Sequence, residues 1–147
     1  MSCGPERITV DEPCAVAESE LQVTWAHACE HTSIGPFGAL AATSGEPELR
    51  NTHMFYVIDL GVSGADFGGR LRFVARSAGR YAFYADRDFP LTLTDAGAEL
   101  CPAAIVAGKT CVELQRADVY DLRSGQVVTL AIGPWHESSV KLVVELQ

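Results

Sequence analysis

The chain has 147 residues, of which 48% are apolar, and its formal net charge is −8. This length suits a single domain with its own hydrophobic core, and the apolar share argues against disorder. The acidic excess argues against nucleic acid and anionic membrane surfaces as partners, and it favours the attraction of cations. No stretch of the sequence approaches the roughly 20 consecutive apolar residues that a transmembrane helix needs.

Apolar residues alternate with a period of two along most of the chain, which predicts β-strands. The predicted strands are 21–27, 52–60, 70–76, 81–85, 89–94, 111–114, 119–122, 127–132 and 140–146. We expect 70–76 and 81–85 to pair as a hairpin. Turn signals recur between the strands, as in β-sandwiches. The sequence therefore predicts an all-β protein: a single antiparallel β-sandwich, jelly-roll or immunoglobulin-like, with roughly eight to ten strands. It would occupy residues 13–147, after a flexible tether in residues 1–12.

The second half of the chain carries a series of strand-and-turn motifs. They are Phe73–Tyr81, Leu91–Leu100, Tyr120–Gln126 and Val140–Glu145. With these motifs, residues 70–147 resemble the bacterial pre-peptidase C-terminal modules of secreted proteins. The resemblance implies a β-sandwich fold. It covers about half of the chain, and its motifs are mostly hairpin sequences that specify fold rather than function.

The N-terminal segment Ser2-Cys3-Gly4 has a small residue before a cysteine and a glycine after it. It resembles the lipid-attachment site of a bacterial lipoprotein whose signal peptide has been removed. The resemblance implies a protein of the bacterial cell envelope, periplasmic or extracellular, whose only contact with the membrane is a lipid on Cys3.

Four further cysteines are Cys14, Cys29, Cys101 and Cys111. An even number of cysteines is typical of disulfides in an exported protein. We expect local pairs, Cys14 with Cys29 and Cys101 with Cys111, because each pair closes a short loop. The alternative is a reduced cytosolic protein in which Cys29 is a thiolate metal ligand.

Residues 25–32 (Trp-Ala-His-Ala-Cys-Glu-His-Thr) contain two of the four histidines, His27 and His31, and a third, His53, begins the next long apolar run. Imidazole is the commonest protein ligand for transition metals. We expect His27 at the end of a strand and His31 in a loop that folds back toward it. The three imidazoles, completed by water or by Glu30, would suit zinc in an open tetrahedral site, or copper, which binds such ligands more strongly.

The leading hypothesis is therefore an exported or lipid-anchored protein that binds a zinc or copper ion through His27, His31 and His53. Its role would be capture, storage or handover of the metal ion, without catalysis, and another envelope protein is a candidate partner. The first alternative is a non-catalytic module that recognises a glycan, a peptide or a partner protein through exposed aromatic side chains. The second is a metal-dependent enzyme in which Glu30 acts on a bound water. We expect the fourth histidine, His136, to be exposed and to lie outside the site.

Overall fold

The structure, a computed structural model, describes Cys14 and residues 23–108 and 110–147. The predicted tether, Cys3 and the start of the first predicted strand lie outside these residues. The described part contains a helix and ten strands. They are α1 (Ala26–Ile34), β1 (Phe37–Ala42), β2 (Phe55–Ser63), β3 (Asp66–Val74), β4 (Gly79–Ala85), β5 (Leu91–Asp95), β6 (Ala98–Glu99), β7 (Ala104–Ala107), β8 (Arg116–Leu122), β9 (Val127–Trp135) and β10 (Ser139–Leu146).

The strands pair in the order β6-β5-β9-β3-β2-β10-β4-β8-β7, and β1 adds a parallel pairing to β2. Strand β2 links the two halves of this curled sheet, because residues 55–59 pair with β10 and residues 61–63 pair with β3. All the other pairings between strands are antiparallel in the described residues. The predicted antiparallel β architecture is thus confirmed. The division into two stacked sheets stays a prediction.

The sheet is buried on both faces where β10, β4 and β8 lie side by side. The main core lies on one face and includes Phe83 and Leu142. A smaller cluster lies on the other face, where Tyr84 and Val143 contact α1 through Ala28. Strand β4 is accordingly buried at five consecutive positions, 81–85. The smaller cluster fixes α1 over the end of β10.

Two disulfides join distant parts of the chain, and the predicted local pairing is wrong. Cys14 pairs with Cys101 and Cys29 pairs with Cys111, across 87 and 82 residues. Four cysteines allow three pairings, and sequence spacing alone does not decide among them. Here the packing of α1 against the smaller cluster brings Cys29 to Cys111, since both cysteines border that cluster.

Three predictions about the strands are also wrong. Residues 26 and 27 belong to α1 instead of a strand, and residues 111–114 form a turn that buries Leu114. Strands β3 and β4 do not pair with each other: β3 pairs with β2 and β9, and β4 pairs with β10 and β8. Local alternation predicts that a segment is extended, but partners within a sheet are chosen by packing between distant segments.

Candidate metal centre

Helix α1 presents two of the predicted ligands on the same side. His27 and His31 are four residues apart, so in a helix they lie one turn apart and face the same way. Their ring centroids are 4.6 Å apart. The helix ends at Gly35, whose φ of +74° is readily adopted by glycine and whose N–H donates to the carbonyl of His31. This local geometry replaces the predicted strand and loop, and it brings the two imidazoles together more directly.

The helix is held to the sheet next to these histidines. Ala28 is fully buried in the smaller cluster, and Cys29 is bonded to Cys111. Just before the helix, the Trp25 ring packs edge to face on Tyr84, with centroids 5.0 Å apart. The disulfide removes Cys29 from the set of possible metal ligands, so Cys29 braces the histidine helix, and the alternative role as a thiolate ligand does not apply.

The third histidine, His53, lies just before β2 in an unusual backbone conformation. Its φ is +62°, in the left-handed region that costs a non-glycine residue about 1–2 kcal/mol. The backbone N–H of His53 donates to the carbonyl of Val144 at 2.9 Å, which places its ring beside the end of β10. Such strained residues are often found at functional sites, where the surrounding structure compensates for the strain.

All three imidazoles converge on one buried carboxylate, Glu145. Its oxygens lie 3.1 Å from Nδ1 of His27, 3.1 Å from Nε2 of His31 and 3.2 Å from Nδ1 of His53. Glu145 is 2% exposed, and no lysine or arginine of the described residues pairs with it. A carboxylate buried in this way is unfavourable without a cationic partner, so its charge has to be balanced within the cluster.

His31 shows why a cation fits between these groups. Its Nδ1 lies 2.8 Å from the carbonyl oxygen of Gly35, which can only accept, so Nδ1 carries a proton. In the neutral ring, Nε2 then presents a lone pair. This buried Nε2 faces Glu145 Oε2 but has no hydrogen-bond partner, because the 3.1 Å contact lacks the direction that a hydrogen bond requires. Two electron-pair donors that face each other would be stabilised by a metal ion bound to both.

One ligand atom from each of His27, His31, His53 and Glu145 can be chosen so that all four lie within 4.8 Å of one another. Ligands of a tetrahedral zinc ion, each about 2.1 Å from the metal, lie about 3.4 Å apart. The cluster is therefore close to the size needed for one ion. The two sides of the cluster differ in solvent exposure. The side chains of His31 and Glu145 are 8% and 3% exposed, while those of His27 and His53 are about half exposed. An ion bound here would be reached by solvent from the side of His27 and His53.

Glu145 also affects a neighbouring phenol. Burial raises the pKa of Tyr84, and the charge of Glu145 raises it further, while hydrogen bonds to Gln147 and Thr24 oppose the shift. The Tyr84 hydroxyl donates to the carbonyl of Thr24, just before α1. That hydrogen bond needs a neutral tyrosine, and the raised pKa extends to higher pH the range in which this contact holds the start of the helix.

Three of the four clustered residues, His27, His31 and His53, are the predicted histidines. The predicted carboxylate is wrong: Glu30 is exposed and does not belong to the cluster, in which Glu145 is the carboxylate. The fourth histidine, His136, is a separate exposed residue that faces Glu137 at 3.7 Å. The sequence does contain a signal for Glu145, since it is the one charged residue in the apolar run 142–146.

No protein-family model matches the chain, and no curated protein matches it. The assignment of a function therefore depends on the cluster itself and on the two disulfides, which indicate an oxidising, exported location. Among the described residues, no helix is both long enough and apolar enough to cross a bilayer.

Proposed function

We propose that this protein binds one transition-metal ion, zinc or copper, through His27, His31, His53 and Glu145. The observation that carries the proposal is the buried Glu145 carboxylate facing three imidazoles, one of which has a buried and unpartnered Nε2. Three nitrogens and one carboxylate oxygen form a ligand set that both metals accept, and copper has the higher intrinsic affinity. Calcium and magnesium require more oxygen ligands and fit poorly.

We assign the site to capture, storage or handover of the ion. Two of the ligands are half exposed, so an ion can be exchanged with a partner without unfolding of the protein. Glu145 contacts all three imidazoles and thus lies among the ligands, whereas a catalytic base would lie beside a metal-bound water. The acidic surface would raise the local concentration of cations.

The cellular setting is part of the same proposal. We place the protein in the bacterial envelope, in the periplasm or outside the cell, with Cys3 as the candidate site of a lipid anchor. The disulfides support export. A pre-peptidase C-terminal type of β-sandwich remains our proposal for the fold family, and it is supported by the motifs of residues 70–147.

The test is the metal content and metal affinity of the oxidised protein, purified without a histidine tag. We expect wild type to bind one zinc or copper ion per chain in a titration against a chromophoric chelator. His31→Ala should weaken binding at least about 100-fold, because a direct ligand is lost. His136→Ala is the matched control, since it removes an exposed histidine outside the cluster, and it should bind like wild type.

The competing explanation is an ion network in which protonated histidines balance Glu145 and no metal binds. It predicts weak and equal metal uptake by wild type, His31→Ala and His136→Ala. That result would overturn the proposed function. The alternative of a glycan or peptide recognition module would then be the next to test, by screening wild type against such ligands.

A further inference from the structure

A small pocket adjoins the histidine cluster. His53 forms part of its wall, so one side chain belongs to both the cluster and the pocket. The complete lining is Arg50, Thr52, His53, Phe73, Val74, Arg76, Ser77, Tyr81 and Leu146. The cavity volume is about 160 Å³. A single water needs only about 10–15 Å³ on this measure, so the cavity has room for a small ligand.

The charge of the lining is opposite to that of the protein. The chain has 19 acidic residues and 11 basic ones, yet the lining contains two arginines and no aspartate or glutamate. Arg76 has no ion-pair partner in the described part of the chain. Arg50 approaches Glu48 at 3.9 Å, but the Arg50 side chain is 74% exposed, so this pair is weak. Both guanidinium groups are thus free to bind an anion.

Hydroxyl groups and a fixed apolar surface complete the pocket. Within the described residues, the hydroxyls of Thr52 and Ser77 have no hydrogen-bond partner, which leaves two donors for a ligand. The Tyr81 hydroxyl donates to the carbonyl of Ser77 and accepts from its N–H, so the Ser77 backbone is held in place. Phe73 is 2% exposed and forms part of the rigid wall.

We propose that this pocket binds a small oxyanion, either phosphate or a short dicarboxylate, next to the histidine cluster. Arginine is well suited to such ligands because its planar guanidinium donates two parallel hydrogen bonds to carboxylate or phosphate oxygens. The pocket itself is independent of metal binding. A further part of the inference rests on the proposed function: a metal cation beside His53 would attract the anion, so each ligand would increase the affinity for the other.

The experiment is isothermal titration of metal-free protein with inorganic phosphate and, separately, with succinate. We expect saturable binding of at least one of the two, and the one bound identifies the class of anion. Arg76→Ala and Arg50→Ala should each weaken it about tenfold or more, because a hydrogen bond to a charged group is lost. The matched control is Arg72→Ala, which removes an exposed arginine outside the lining and should leave the affinity unchanged.

Absence of saturable binding by both anions would overturn the inference. An equal loss of anion affinity in Arg72→Ala and Arg76→Ala would also overturn it, because it would show nonspecific attraction by positive charge. His31→Ala does not alter the lining, so metal-free His31→Ala should bind the anion like wild type. This separates the inference from the proposed function, which fails if no metal binds. Titration of zinc-loaded wild type with the anion that metal-free protein binds, phosphate or succinate, tests the coupling: tighter binding than to metal-free protein supports it, and equal or weaker binding contradicts it.

Discussion

Glu145 is the residue on which the site depends most. It occupies the end of β10, where Val143 and Val144 face the smaller cluster and the main core, respectively. A carboxylate at such a position lowers stability unless its charge is compensated. An apolar residue would pack there without that difficulty. A glutamate that is 2% exposed and faces three imidazoles is therefore the strongest support for the proposed metal site.

The substitution Glu145→Gln separates the role of the charge from the role of size. We expect zinc affinity to fall at least about tenfold, because an amide oxygen is a weaker ligand than a carboxylate. The metal-free protein should keep its stability, because glutamine has nearly the size of glutamate and removes a buried charge. Chelator competition measures the affinity, and thermal unfolding checks the fold.

The matched control for this substitution is Glu137→Gln, which neutralises an exposed glutamate beside His136. It should leave zinc affinity unchanged. If Glu145→Gln binds zinc as tightly as Glu137→Gln, Glu145 is not a ligand and the metal would have to be held by the histidines alone.

The histidines were predicted from the sequence, whereas their carboxylate partner was missed because its spacing from them gives no sign of the contact. His27, His31 and His53 are conspicuous because the chain has only four histidines. Glu145 lies 92 residues beyond His53, and only the pairing of β10 with β2 and β4 brings it to the cluster. Sequence spacing carries no information about contacts at that range.

At the scale of elements, α1 is the part of the site that alternation of apolar residues did not reveal. The helix has nine residues, lacks a side-chain cap at Trp25 and has no acidic residue in its first turn. Its apolar residues show no helical period, and only Ala28 and His31 of the helix are buried. Helices this short are marginal in isolation, and most of their stability comes from tertiary contacts. The contacts of α1 with the sheet therefore decide whether His27 and His31 are in place.

The Cys29–Cys111 disulfide should accordingly support metal affinity. We expect the double variant Cys29→Ser, Cys111→Ser to bind zinc roughly tenfold more weakly, because α1 then loses its covalent link to the sheet and has to be ordered when the metal binds. Zinc affinity is measured by chelator competition, and circular dichroism checks that the sheet remains folded.

The corresponding control removes the other disulfide, with Cys14→Ser and Cys101→Ser. This bond does not involve α1, so the variant should lose stability but keep its zinc affinity. An equal fall of zinc affinity in both double variants would show that the disulfides act through global stability, and the specific bracing of α1 would be refuted.

At the scale of the whole molecule, the sequence predicts the antiparallel β class well and the partners within the sheet poorly. The turn at Ala96 and Gly97 that ends β5 follows from local sequence, but its hairpin partner β6 was not among the predicted strands. In contrast, β1 pairs in parallel with β2, a pairing that alternation cannot reveal. The site lies where such nonlocal pairings meet, at the ends of β10 and α1 and just before β2. It exists only in the folded chain, so a metal ion that binds there would be linked to folding.

That linkage gives a measurable change in thermal stability. At a free zinc concentration 100 times the dissociation constant, binding to the folded state alone stabilises it by about 2.7 kcal/mol. For a domain of this size we expect a rise in Tm of roughly 5–10 °C, measured by differential scanning fluorimetry of oxidised protein. His136→Ala should show the same rise in Tm, and His31→Ala little or none.

The zinc-induced rise in Tm should also depend on pH. Because metal binding needs neutral imidazoles, the rise should shrink as the pH falls and protons compete for the ligands. A Tm that is unaffected by zinc in wild type would mean that folding does not assemble a metal site.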